Sequence, residues 1–130
     1  MKIYSEGDDK MKLSEVRDIL DAKVLAGEDL LDHEVNSACG SDLMSDVLAF
    51  VKDRALLLTG LMNPQVIRTA EMMDITAIVF VRGKEPDEAL VSMATAKDMV
   101  LMSTDHPLYI AAGKLYTNGL MGKERGKENG

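Results

Sequence analysis

The sequence predicts an α/β fold, a three-layer α/β/α sandwich around a mainly parallel sheet of about five strands, and two repeated features point to it. Pro64, Pro86 and Pro107, the only prolines of the 130-residue chain, each follow an apolar run and a short loop, and each opens a stretch with helical periodicity. The runs are Ala55 to Thr59, Thr76 to Val81 and Asp98 to Met102; the loops are Gly60 to Asn63, Arg82 to Glu85 and Ser103 to His106. Proline fits a first helical position, because its missing N–H has no partner there and its φ is already helical. The second feature is the near-continuous apolar character of the runs, which belongs to strands covered on both faces. Strands that alternate with helices pair in parallel, and the loops at their carboxyl ends gather on one edge, where such sheets bind ligands.

Taken in order, residues 1–10 read as a flexible leader. Ser14 is placed to cap a helix carrying Val16, Ile19 and Leu20 on one face, followed by a strand over Lys23 to Ala26 and a turn at Gly27-Glu28-Asp29. A second strand is expected over His33 to Cys39, where Val35, Ser37 and Cys39 alternate with Asn36 and Ala38. Gly40-Ser41-Asp42 opens a helix through Lys52, with Ser41 or Asp42 as cap and Leu43, Met44, Val47, Leu48 and Val51 as its apolar stripe. Helices are then expected from Pro64 to Met73, Pro86 to Lys97 and Pro107 to about Asn118, where Gly119 supplies the stop. The domain is expected over 11–120. The run 121–130 is polar and glycine-rich, the composition of a disordered tail.

Composition narrows the function. Hydrophobic residues make up 46% and charged residues 28%, the balance of a globular protein. A formal charge of −7 and dispersed basic residues argue against nucleic acid and acidic membranes as partners, since both require a basic surface. No apolar run reaches the roughly 18 residues of a membrane helix, and the polar amino terminus is unlike a secretory signal. With Cys39 as the only cysteine, the chain forms no internal disulfide, which fits the cytoplasm. Ten methionines against 4% aromatic residues suggest an adaptable core or contact surface, and Met44, Met72 and Met73 on helices point to a homodimer.

Several separated segments share an order with a known family. They are Lys12-Leu-Ser-Glu15, Ala38-Cys-Gly-Ser-Asp42, Leu57-Leu-Thr-Gly60, Asn63 to Glu71, Ala77 to Gly83, Glu85-Pro-Asp-Glu88, and Val100 to Thr104 with Ala112 to Tyr116. Over roughly residues 11–120 the chain resembles small stand-alone proteins of the DRTGG-domain family. The resemblance implies a fold similar to the amino-terminal domain of HPr kinase/phosphatase, and a non-catalytic, regulatory, often dimeric module. The letters Asp-Arg-Thr-Gly-Gly do not occur, since Thr59-Gly60 is followed by Leu61-Met62-Asn63. A kinase phosphate loop is also missing, because Gly113-Lys114 is followed by Leu115.

The leading candidate site is the strand-end edge: Thr59, Gly60, Asn63, Arg82, Gly83, Lys84, Ser103, Thr104, Asp105 and His106. Helix starts there offer N–H groups, and Arg82 and Lys84 add full charge for a carboxylate or phosphate, so the expected ligand is a small anionic metabolite or nucleotide. A secondary candidate is Cys39-Gly40-Ser41-Asp42, where a thiol at a strand end can act as a nucleophile. Ser103 to His106 has the residue types of a hydrolytic site, but neighbours in sequence do not make a triad. Two histidines and one cysteine without paired spacing give no metal motif, and no cofactor is implied. The expected function is a non-catalytic cytoplasmic regulatory or sensor module, dimeric, binding an anionic ligand or a protein partner. The alternatives are a small enzyme using Cys39 or Asp105 in phosphoryl transfer, and a structural subunit of a larger enzyme.

Overall fold

The computed structural model describes residues 10–50 and 54–121, with no side-chain account of 49 and 50. The expected leader, apart from Lys10, and the expected tail, apart from Met121, lie outside those residues, as do Val51 and Lys52 of the expected second helix. The elements run β1 (Met11–Lys12), α1 (Leu13–Leu20), β2 (Lys23–Ala26), a 3₁₀ turn (Glu28–Leu30), β3 (Glu34–Val35), β4 (Ser37–Gly40), α2 (Met44–Phe50), β5 (Ala55–Thr59), α3 (Pro64–Met72), β6 (Ala77–Phe80), α4 (Glu88–Ala96), β7 (Val100–Ser103) and α5 (Leu108–Thr117). The main sheet has the order β2-β7-β6-β5-β4. Strands β4 to β7 are parallel, and β2 joins β7 antiparallel.

Helices cover both faces, and the strands divide their side chains between two cores with the period-two alternation of the pleat. Leu56, Leu58, Val79, Val81, Val100 and Met102 pack with α1 and α5, where Val16, Leu20, Ala111 and Leu115 are buried. Leu57, Ile78, Phe80 and Leu101 pack with α2, α3 and α4 through Val47, Val66, Ile67, Leu90 and Ala94. The expected three-layer sandwich is the observed one.

Four local expectations change. The strand expected over His33 to Cys39 is two strands, because the chain bends at Asn36, whose N–H bonds to Arg54 C=O at 3.0 Å; β3 turns away to pair antiparallel with β1 in a separate two-stranded sheet. Ser14 lies inside α1 rather than capping it. The orphan donors at that helix start are met by the β2–β3 connection: Leu13 N–H bonds to His33 C=O and Ser14 N–H to Leu31 C=O, while Glu15 accepts from Lys12 N–H. Of the three prolines only Pro64 occupies a first helical position. Pro86 precedes the cap, since Asp87 accepts from Leu90 N–H at 3.0 Å and sets the start of α4, and Pro107 is itself the cap of α5, with extended ψ of 167°. Finally, Met44 is a core residue at 8% exposure and Met73 is half-buried, so of these three methionines only Met72 is free to meet another molecule from these helices.

Candidate functional site

Because β4, β5, β6 and β7 are parallel and adjacent, their carboxyl ends bring Gly40-Ser41-Asp42, Gly60 to Asn63, Arg82 to Lys84 and Ser103 to His106 to one edge. The secondary candidate segment thereby joins the leading one. The join is made by Asp42: its Oδ1 accepts from Thr59 Oγ1 at 2.9 Å and from Gly60 N–H at 2.7 Å. Thr59 is fully buried and its oxygen also accepts from Leu61 N–H. The Gly60 amide bond, then the Thr59 hydroxyl and the charges of Arg82 and Lys84, hold the Asp42 carboxyl below its ordinary value against a smaller opposing effect of burial.

Asp42 Oδ2 looks toward Arg82 Nη2 at 4.0 Å, and both side chains are about half exposed. Arg82 sits at φ +62° and Gly83 at +70°, with Lys84 N–H reaching back to Val81 C=O at 3.3 Å. Positive φ at both central positions closes the turn and is tolerated by glycine far better than by arginine. The turn is pinned to the next loop, because Arg82 N–H bonds to His106 C=O and Gly83 N–H to Thr104 C=O, both at 2.8 Å. From there the Arg82 guanidinium lies over Gly60 in the space a Cβ would need, so only glycine at 60 permits the approach.

These bonds change the expected chemistry. The amides of Gly60, Leu61, Arg82, Gly83 and Lys84 are all engaged within the loops, so these five offer an anion no free backbone donor, and around the Arg82 turn it meets side chains. Ser103 gives its hydroxyl proton to Lys84 C=O and Thr104 gives its own to Leu20 C=O, both at 2.7 Å, which makes them loop anchors. Asn63 caps α3 by accepting from Gln65 N–H at 3.0 Å. Asp105 is exposed and its Oδ1 lies 3.1 Å from where a Cβ on Gly83 would sit. Arg82 and Lys84 remain as the cations facing solvent, with Lys23 and Glu85 paired at 3.4 Å nearby.

Cys39 is half-buried on β4, and burial, then the charge of Asp46, push its thiol up. That is the opposite of the depressed value that activates a nucleophilic cysteine. Among the described residues no cluster of three or more His, Cys, Asp or Glu side chains forms a metal site, and no helix is long and apolar enough to cross a membrane.

Two concavities escaped the sequence reading. A slot of about 120 Å³ lies between the starts of α3 and α4, lined by Met62, Pro64, Asp87, Ala89, Leu90 and Met93. A cleft of about 510 Å³ lies on the opposite edge of the sheet, lined by Asp32, His33, Glu34, Arg54, Asp74 and Thr76. Neither follows from local patterning, because each is formed by segments that only the sheet order makes neighbours.

A family model described as "DRTGG domain" matches residues 15–116. No curated protein matches the chain. Among solved structures, the fold is similar to that of the CBS and DRTGG domains of the regulatory region of Clostridium perfringens pyrophosphatase, complexed with its activator, diadenosine tetraphosphate. The TM-score is 0.66 at 12% identity over 88% of this chain, which spans 51% of that one, about half its length.

Proposed function

The chain belongs to the DRTGG-domain family, and from that premise we propose that it is a non-catalytic cytoplasmic regulatory module, homodimeric, that binds a small anionic ligand of metabolite or nucleotide class at the strand carboxyl edge. The observation that carries the reading is Arg82, held by a left-handed turn with its guanidinium over Gly60 and 4.0 Å from Asp42 Oδ2. A guanidinium presents a planar fork suited to a phosphate or carboxylate, and Lys84 two residues on adds a second charge. A ligand that draws Arg82 away from Asp42 alters the surface of two loops at once, and a protein partner that prefers one arrangement reads the change.

The test is a thermal-shift panel of nucleotides, dinucleoside polyphosphates, acyl phosphates and sugar phosphates. Dinucleoside polyphosphates are included because the similar pyrophosphatase region carries one as activator. A ligand at 100 times its dissociation constant adds about 2.7 kcal/mol of stability. Arg82→Ala with Lys84→Ala weakens the binding of that ligand more than tenfold and leaves the fold intact, because both side chains are exposed. Equal affinity for the double variant places the site elsewhere, and a panel without an anionic hit leaves a protein partner as the input.

A further inference from the structure

Away from the strand-end loops, β4 closes one side of the sheet and pairs with β5 alone among the described residues. Its register sets Cys39 opposite Leu57 and Gly40 opposite Leu58, with Ser41 N–H on Leu58 C=O at 3.0 Å. In a parallel ladder alternate residues turn both backbone groups toward the neighbour. Ser37, Cys39 and Ser41 therefore face β5, while Ala38 and Gly40 direct their N–H and C=O outward. An open edge of this kind is a template for another strand.

The flanks of the edge are apolar. Helix α5 packs against β4, β5 and α1, and the Leu108 side chain lies beside Gly40, so the flank of α5 away from α1 overlooks the edge. Helical spacing continues that flank through Ala112 and Tyr116, with Tyr109 beside them. Tyr109 is 86% exposed and Tyr116 53%, and Lys114 is the one charged residue of the ten in α5. A helix apolar around most of its circumference is normally covered on all sides. On the other face Leu43, at the entrance to α2, is 57% exposed.

We propose that a second copy of this chain occupies the β4 edge, the two strands pairing antiparallel about a two-fold axis through Cys39. This interface rests on the homodimer reading above and specifies where the copies meet. Ala38 of each copy exchanges both backbone bonds with Gly40 of the other, which uses every outward group of both strands, and the two Cys39 stand opposite each other in a non-hydrogen-bonded pair. A lone extended peptide covers the strand edge but leaves the tyrosines in water; a second copy brings its own α2 and α5 to cover them. Covering the exposed parts of Tyr109 and Tyr116, 86% and 53% of these residues, adds about 200–350 Å² per copy to what the strand pairing buries, which moves the contact toward the roughly 1,000 Å² total of a specific interface. The contact is isologous and closes on itself, so it leaves no edge for further growth.

The native Cys39 reports on this geometry, because Cα atoms of a non-hydrogen-bonded pair lie about 4.5 Å apart, within disulfide range. Light scattering at micromolar concentration is expected to give twice the 14.2 kDa chain mass. Diamide, which takes two electrons and two protons from the thiol pair, is expected to convert most of the chain to a disulfide dimer, and Cys39→Ser to abolish that product. Ala38→Pro removes an outward N–H without touching the bonds to β5 and should slow cross-linking at least tenfold. A dimer that does not cross-link overturns the β4 interface and leaves the homodimer standing; a monomer overturns both. A cross-linking rate unchanged by Ala38→Pro also overturns the paired edge.

Discussion

Replacing Asp42 by alanine removes the acceptor of two bonds at once, from Gly60 N–H at 2.7 Å and Thr59 Oγ1 at 2.9 Å. Both donors belong to buried residues. A hydrogen bond to a charged acceptor contributes about 1.5–3 kcal/mol when desolvated. The carboxylate itself is 50% exposed, so solvent screens its charge and water reaches part of the vacated space. The net cost of Asp42→Ala is therefore about 2 kcal/mol, or roughly 6–10 °C in Tm for a domain of this size. Asp42→Asn is informative because both bonds end on Oδ1, which an amide oxygen can replace; only the charge is lost, at a cost of about 1 kcal/mol.

The pH dependence has a definite sign. The folded carboxyl titrates below its ordinary value, so protonation favours the unfolded chain. The contribution of the charge is complete above about pH 4 and disappears as pH falls through the folded value. Urea unfolding of wild type, Asp42→Ala and Asp42→Asn at pH 7 and again below pH 4 reads all of this. The wild-type advantage over asparagine should narrow in acid. An alanine variant as stable as wild type at pH 7, or an asparagine variant as costly as alanine, would refute the bonding scheme.

Three further outcomes are expected. Gly60→Ala places a methyl group against the mobile end of Arg82, so it should displace the guanidinium and weaken anion binding several-fold in a calorimetric titration while moving Tm little. Gly27→Ala should cost about 2–4 kcal/mol by denaturant unfolding, because its φ of +79° disfavours a side chain and the new Cβ would lie 2.8 Å from Met99 C=O and 2.9 Å from Val100 Cα, which are backbone atoms. Leu57→Ala opens a cavity in the α2–α3–α4 core at a fully buried position, and the same measurement should show a loss of about 2–5 kcal/mol.

Periodicity and turn chemistry are local, and the sequence carried them. The apolar runs of β5, β6 and β7 read as doubly covered strands because every residue of each is buried, and the carboxyl-end loops followed from parallel pairing. Helix starts were less legible: Asp87 rather than Pro86 sets α4, because a carboxylate that reaches Leu90 N–H decides the start wherever the proline lies. The bend at Asn36 was invisible in an alternating pattern, since it is fixed by a carbonyl at Arg54.

For the candidate site, the sequence by itself placed the loops that follow β5, β6 and β7 at the carboxyl ends of their strands. It could not assign their roles, since Ser103 and Thr104 have the same composition whether their hydroxyls face a ligand or, as here, Lys84 and Leu20 carbonyls. Tertiary structure alone decided that Asp42 belongs with Thr59 and Gly60, that Arg82 covers Gly60, and that β4 is the sheet's edge. The physical reason is range: helix and strand signals act over a few residues, whereas these contacts depend on strand order and register, which are set by how whole faces bury against one another.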